Sequence, residues 1–281
     1  MKLIRTLAGA IIAASMTLGA STAMAQAKKI KIATEGAYAP WNFIEAGKLA
    51  GYEVELAAEL CKRAKLECEV IAQDWDGIIP GLSAGKYDAI MAGMTNTEKR
   101  REVISFSESY GATPNGFLTT KASPLAKLPG LGASYSLVKE EAEANKVIEE
   151  MKALLKGKVI GVQVSTTNAG FVEKYFKGVA EIRDYKTTEQ HDLDLKAGRI
   201  DATFAAMSYQ NDVVAKPDNA EMALAGATFT GGVLGSGVGV GLRKADTELK
   251  AAFDAAIKSA IADGTLKAMT IKWFKMDITP K

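Results

Sequence analysis

Residues 88–100 read Asp88-Ala-Ile-Met-Ala-Gly-Met-Thr-Asn-Thr-Glu-Lys-Arg100. Ala89 to Ala92 is a short apolar strand that runs into a glycine, then hydroxyls, then a helix start. Thr95 and Thr97 can cap backbone amides or offer their own O–H groups. Arg100, one turn further on, can fork two N–H bonds onto a carboxylate, with helix-start amides nearby. The stretch suits a small anion held at the end of a strand. It also suits an ordinary capped helix with a solvent-facing arginine, so the flanking segments decide.

Upstream, Lys29 to Ala33 alternates as a strand, and Val54, Ala57, Ala58, Cys61 and Ala64 recur at helical spacing. Glu69 to Ala72 reads as a second strand and Trp75 to Ala84 as a helix before the strand at 89–92. This β-α-β-α-β rhythm defines an α/β chain with a mostly parallel sheet and helices on both faces. Residues 111–135 are rich in Gly, Pro and Ser and break the rhythm. A polar helix from about Ser136 to Lys156 follows, with Val147, Met151, Leu154 and Leu155 as its apolar stripe.

A second α/β run then begins. Lys158 to Val164 and Glu181 to Tyr185 read as strands, Thr167 to Phe176 and Thr188 to Ala197 as helices, and Ala202 to Ala205 as a further strand. The run Gly231-Gly-Val-Leu-Gly-Ser-Gly-Val-Gly-Val-Gly241 lacks the Gly-Lys-Ser/Thr ending of a phosphate loop, and its alternation fits a strand. Helices at Asp246 to Ala262 and Thr265 to Phe274 close the chain, with Asp263-Gly264 as the stop between them. Two α/β lobes with a returning tail enclose a cleft. Open α/β sheets bind ligands at the carboxyl ends of their strands, and the polar candidates follow the strands ending near 33, 72, 92, 164 and 205.

The first 25 residues have the form of a secretory signal. Lys2 and Arg5 precede an apolar, small-residue stretch from Leu7 to Leu18, and Ala23-Met24-Ala25 is a cleavage site before Gln26. No cysteine stands at that point to carry a lipid. Cleavage removes two positive charges and no negative ones, taking the formal charge from +2 to 0. A neutral chain has no broad attraction for nucleic acid or anionic membrane. The remaining 256 residues suffice for one large or two smaller domains. Cys61 and Cys68, with six residues between them in an exported chain, are expected to form a short-loop disulfide; a reduced buried pair is the alternative. Metal binding is not expected, because His191 lies far off in sequence on what reads as a surface helix face.

After the first strand comes Thr34-Glu-Gly-Ala-Tyr-Ala-Pro-Trp41, and after the second Gln73-Asp-Trp-Asp-Gly77. Glu35 and the rings of Tyr38, Trp41 and Trp75 could hold a cation by ion pairing and stacking; Tyr38 and Trp41 equally suit packing. The whole mature chain resembles the periplasmic solute-binding proteins of ABC importers for polar amino acids. The resemblance rests on Ile32-Ala-Thr-Glu-Gly-Ala-Tyr-Ala-Pro40, Gly51-Tyr-Glu-Val-Glu-Leu56, Asp88 to Met91, Thr95 to Arg100, Gly198-Arg-Ile-Asp-Ala202 and Gly239-Val-Gly-Leu-Arg-Lys244. The insertion Pro129 to Leu137, Asn115-Gly-Phe117 and the ending Lys272 to Pro280 are similar to the octopine/nopaline-binding branch. Opines are amino acids condensed with a keto acid, carrying a secondary amine and at least two carboxylates.

That resemblance implies a type II two-lobed fold. Residues 1–25 would be the signal, 26–114 the first part of lobe 1, 115–232 lobe 2, and 233–281 the return to lobe 1, with hinges near 111–116 and 230–237. It implies that Arg100 clamps the α-carboxylate, assisted by Thr95 and the backbone at Ala92 and Gly93. Glu35 would pair with a guanidinium on which Trp75 and Tyr38 stack. Ser165, Thr166 and Thr167 would offer amides and hydroxyls to a carboxylate, with Gln163 and Asn115 in reach. Two positions depart from the pattern. Ala206 stands where basic amino-acid binders have an aspartate for the α-ammonium, favouring an N-substituted ligand. Val164 stands where a glycine is common. The implied ligand is an opine, with arginine, lysine or ornithine as the alternative and a periplasmic dehydratase as a more distant one. The implied partner is an inner-membrane permease, and the implied state is a monomer without cofactor.

Overall fold

The computed structural model describes residues 29–280; the expected signal and its cleavage after Ala25 lie outside the described residues. β1 (Lys29–Thr34) leads through a ribbon of β2 (Ala37–Tyr38), β3 (Asn42–Glu45) and β4 (Lys48–Ala50) into α1 (Tyr52–Ala64) and β5 (Glu67–Ala72). A 3-10 turn at Trp75–Gly77 precedes α2 (Ile78–Ser83), β6 (Ala89–Ile90), α3 (Glu98–Arg101) and β7 (Ile104–Gly111). The chain then crosses to β8 (Asn115–Thr120), β9 (Ser134–Ser136), α4 (Glu141–Leu155), β10 (Val159–Gln163), α5 (Thr167–Phe176) and β11 (Glu181–Tyr185). After α6 (Thr188–Lys196), β12 (Ala202–Ala206), α7 (Met207–Ala215) and β13 (Met222–Thr230), it returns through β14 (Val238–Arg243), α8 (Thr247–Ala262) and α9 (Thr265–Phe274).

Two principal sheets result, one in each lobe. The first runs β5-β1-β6-β14-β7 and the second β11-β10-β12-β8-β13-β9. Each has a parallel trio at one side, with Ile32 opposite both Val70 and Ala89, and Ile160 opposite both Ile182 and Ala202. β14 runs antiparallel to β6 and β7, and β8 antiparallel to β12 and β13. The sheets are therefore mixed rather than mostly parallel, because the strands that flank the crossovers must run back along their neighbours. The insertion adds β9 as an edge strand parallel to β13, and α4 buries Ala144, Ile148, Met151 and Leu155 beside it.

The core follows from strand alternation. Ile30 and Ile32 point from β1 to the same side and meet Leu56 and Leu60 of α1, all fully buried; each such side chain contributes about 2 kcal/mol on leaving water. The buried face of α1 is Tyr52, Glu53, Leu56, Ala57, Leu60 and Cys61, one residue of phase away from the expected stripe, with which it shares Ala57 and Cys61. Lys65 ends that helix in the left-handed region, and its amide returns to Cys61 and Lys62. The chain thereby reverses and delivers Cys68 to Cys61, where the disulfide forms across a Cα–Cα distance of 6.2 Å.

Four local expectations change. The helix expected over 75–84 is a 3-10 turn followed by a short α-helix. The long polar helix begins at Glu141, because Ser134–Ser136 is taken into the sheet, and Leu154 faces solvent. The glycine run is a strand only from Val238; at 231, 232, 235 and 237 its glycines have positive φ, so this stretch is a crossover. His191 is fully buried rather than on the surface, with Nδ1 against Asp192 at 2.9 Å and Tyr185 and Tyr209 edge-on to its ring.

Chain entropy for so short a loop assigns the Cys61–Cys68 bond about 2.5 kcal/mol. A double Cys61→Ser, Cys68→Ser variant is expected to lose that much in urea unfolding, and reductant should lower the wild-type protein to match it.

Candidate functional site

The two lobes face one another across a cleft of about 1970 Å³, and all the sequence-derived binding candidates line it. On the lobe 1 side, Thr97 caps α3 by accepting the Arg100 amide at 3.2 Å. This cap turns the Arg100 side chain back along its own loop. Its Nη1 donates to the Thr95 carbonyl at 2.9 Å, and its Nη2 reaches the Ser165 carbonyl of lobe 2 at 3.3 Å. The guanidinium sits 5.1 Å over the Trp75 ring, a favourable placement of a cation on an aromatic face. Trp75 is itself fixed by its indole N–H, which donates to the Val164 carbonyl at 3.1 Å. Burial pulls the Arg100 guanidinium down to about 10, so it remains a cation at neutral pH.

The Arg100 loop is held in place by the second crossover. Asn96 donates to Gly237, Ser236 to Asn96 and Gly239 to Met94 through backbone amides. At Gly235, with φ +76°, a Cβ would stand 2.5 Å from Thr95 Cγ2 and 2.6 Å from the Asn96 carbonyl, so only glycine fits. Ser165 adopts φ +61°, a left-handed conformation that costs a serine about 1 kcal/mol or more. It lies between the Gln163 end of β10 and the start of α5. The Thr166 hydroxyl caps α5 by accepting the Ala169 amide and donates to the Gln163 carbonyl. The hydroxyl is spent on local structure, a correction to the hydroxyl part of the expectation for Thr166, which still lines the cleft wall. Thr167, the first residue of α5, keeps its place on the cleft wall.

A few residues away, Glu35 follows β1. Gln163 Nε2 donates to Glu35 Oε1 at 2.5 Å and to the Lys186 carbonyl at 3.0 Å. Burial, the largest influence, raises the Glu35 carboxyl to about 7; the Gln163 bond opposes this, and Glu53, Asp74 and Glu189 reinforce it. Tyr38 stacks on Tyr209 of lobe 2 with centroids 5.0 Å apart and planes 13° from parallel. Asn115 and Ala206 are register partners where β8 meets β12, at the first crossover.

Two further expectations need correcting. Trp41 touches the cleft wall, but only 1% of it is exposed. Its ring packs on Phe274 and Tyr52, and its indole N–H donates to Ser208 at 2.9 Å. It is a core and interlobe residue rather than a stacking platform. The Gly93 amide is committed to Glu53 at 2.7 Å, so it is not a spare donor for a carboxylate; Ala92 lines the wall beside it. Sequence reading also missed the buried Glu53 and the Tyr209 stack. Glu53 falls on the buried face of α1, which differs from the stripe that apolar spacing marks.

Two lobes of α/β structure joined by two crossovers, with opposite charges from strand ends lining the intervening cleft, define a type II solute-binding protein. The chain belongs to the bacterial extracellular solute-binding proteins, family 3, which residues 30–276 match. It is 47% identical over 289 aligned residues to the octopine-binding periplasmic protein of Rhizobium meliloti, covering 96% of this chain and 98% of that one. The lysine/arginine/ornithine-binding periplasmic protein of Escherichia coli K12 is 32% identical, covering 95% and 97%. Among solved structures, a periplasmic His/Glu/Gln/Arg/opine family-binding protein from Silicibacter pomeroyi in complex with lysine superposes with a TM-score of 0.73. It is 37% identical, with 90% of this chain and 100% of that one covered. An ancestral arginine-binding protein bound to arginine gives 0.75 at 28% identity, covering 89% and 99%.

The raised carboxyl of Glu35 carries a signed consequence. The folded protein binds this proton more tightly than the unfolded chain does. Stability from this group is therefore full below its ordinary value of 4.5 and declines as pH rises to about 7. Glu35→Gln is expected to flatten that decline in urea unfolding of ligand-free protein, and an unchanged slope would contradict the assignment.

Proposed function

We propose that this protein is the periplasmic, ligand-capturing component of an ABC importer and that its ligand is an opine derived from arginine. The observation that carries the reading is the separation of Arg100 from Glu35. Arg100 spends its reach on two carbonyls and a ring face, Glu35 is held by neutral Gln163, and among the described residues neither is paired with the other. A cleft with a cationic and an anionic station left apart suits a ligand bearing both a carboxylate and a cationic head. On binding, the carboxylate takes the place of the carbonyls on Arg100, as a charge-assisted and bidentate partner. A guanidinium beside Glu35 favours the ionised carboxylate and lowers its pKa, so binding near neutral pH releases a proton.

The N-substituent is accommodated at Ala206. Its methyl group neither anchors a primary ammonium nor repels a second carboxylate, and the octopine-binding relative supports this choice. A basic amino acid is the second reading, favoured by the lysine-bound and arginine-bound structures of the same fold. The chain acts as a monomer after export and cleavage behind Ala25, swings about the crossovers at 112–114 and 231–237, and presents its closed form to an inner-membrane permease. Ligand contact with both lobes couples affinity to closure.

Calorimetric titration of ligand-stripped protein with octopine, nopaline, octopinic acid, arginine, lysine and ornithine tests this. Tight binding of an opine with arginine at least tenfold weaker is expected; tight arginine binding alone would move the protein to the basic amino-acid group. Arg100→Ala should weaken binding at least a hundredfold, the scale of losing a charged bidentate bond, with the unfolding midpoint retained. Ala206→Asp should shift the octopine-to-arginine affinity ratio toward arginine, and an unmoved ratio rejects the role given to Ala206.

A further inference from the structure

Behind the cleft, within lobe 1, lies a carboxylate that no salt bridge among the described residues accounts for. Glu53 is 1% exposed on α1, and the groups that hold it are all neutral. Asn42 Nδ2 donates to Oε2 at 2.6 Å, while the Gly93 amide at 2.7 Å and the Tyr110 hydroxyl both donate to Oε1. The orientation of Asn42 is fixed by its other end, because its Oδ1 accepts the Gly36 amide at 2.7 Å. Burial pushes the Glu53 carboxyl above its ordinary value, and the donors from Tyr110, Gly93 and Asn42 oppose that shift in favour of the ionised form. Three neutral donors stabilise a charge without cancelling it, so its field persists in the surrounding low-dielectric interior.

Each donor belongs to a part of the binding machinery. Gly36 follows Glu35 directly. Gly93 has φ +58°, and a Cβ there would meet the Tyr38 ring at 3.2 Å, so that ring packs directly on this glycine. Tyr110 stands at the end of β7 next to the first crossover, and its carbonyl accepts the Tyr52 hydroxyl at 2.8 Å. Burial is the first cause of the raised Glu35 carboxyl and Tyr38 hydroxyl, and an ionised Glu53 adds to both shifts.

We propose that Glu53 is a positioning residue that sets the cleft's preference for a cationic ligand head. Through Asn42 and Gly93 it fixes Glu35 and Tyr38 from behind, and its own buried negative charge adds to that of Glu35. The inference rests on the interlobe cleft being the ligand site. Glutamine at position 53 would keep the shape and lose the field, while its amide NH2 would face one of the donors that the carboxylate now accepts.

Carbon-13 labelling of glutamate carboxyl groups, followed by NMR titration without ligand, separates these contributions. In wild-type protein Glu53 is expected to keep the chemical shift of a carboxylate throughout the range in which Glu35 titrates. In Glu53→Gln the Glu35 midpoint is expected to fall from about 7 toward 4.5, with Asp74 and Glu189 still present. A protonated Glu53 across that range, or an unchanged Glu35 midpoint in folded Glu53→Gln, overturns the proposal. The wild-type measurement stands even if the variant fails to fold. The binding arm uses octopine and its citrulline-derived counterpart, which replaces the guanidinium by a neutral ureido group. Wild-type preference for octopine should drop about tenfold in Glu53→Gln, the scale of one buried charge acting through the interior. A purely structural role would weaken both ligands alike, and that result rejects the charge assignment. Wild-type protein that binds neither compound refutes the opine reading, and the carboxyl titration then decides the role of Glu53 alone.

Discussion

A guanidinium withdrawn from water must be met by oxygen or by a π face, and the architecture of the cleft follows from how Arg100 meets that requirement. Its two donor groups lie on carbonyls from different lobes, with Trp75 beneath. To present the Thr95 carbonyl, the loop after β6 has to dock on the second crossover, which is why a glycine stands at 235 where any side chain would collide. To present the Ser165 carbonyl, the chain accepts a left-handed serine between β10 and α5. Local strain and a sequence constraint thus have a common origin in one half-buried cation.

The hydrogen bonds that span the cleft are individually modest, and the Trp41–Ser208 bond and the Tyr38–Tyr209 stack join the lobes beside them. Arg100 to Ser165, Trp75 to Val164 and Glu35 to Gln163 each join a segment following a strand of one sheet to a strand end of the other. Hydrogen bonds of this kind contribute about 1 kcal/mol each once exchange with water is counted. The balance between joined and separated lobes is therefore shallow. A small molecule that satisfies both sides can decide it, whereas an interface with a large apolar area would hold the lobes together regardless of ligand.

Periodicity exposed the larger features of the chain and missed those set by tertiary context. The strand at 29–34 and the helices at 167–176 and 188–196 are legible because alternation and spacing reflect which face is buried, and Thr166 and Thr187 mark helix starts by residue type alone. Strand direction was less legible, since β14 and β8 look like any buried strand until their neighbours are known. In the glycine run, alternation mimicked a strand where positive φ values make a crossover. Within the site, Arg100, Trp75 and Glu35 were visible as charged and aromatic residues after strands. The commitment of the Gly93 amide to Glu53 and the burial of Trp41 and His191 were not, because each depends on a partner distant in sequence.

The place of β14 in the first sheet also governs when that sheet can exist. β14 lies between β6 and β7, yet it is made of residues 238–243, close to the end of a chain of 281. A polypeptide that emerges amino end first has every strand of the second sheet available before β14 can fill the gap in the first. Lobe 1 must therefore wait, with β6 and β7 unable to share their central partner, while lobe 2 already has its full complement. Such late closure raises the sequence separation of the native contacts and slows folding.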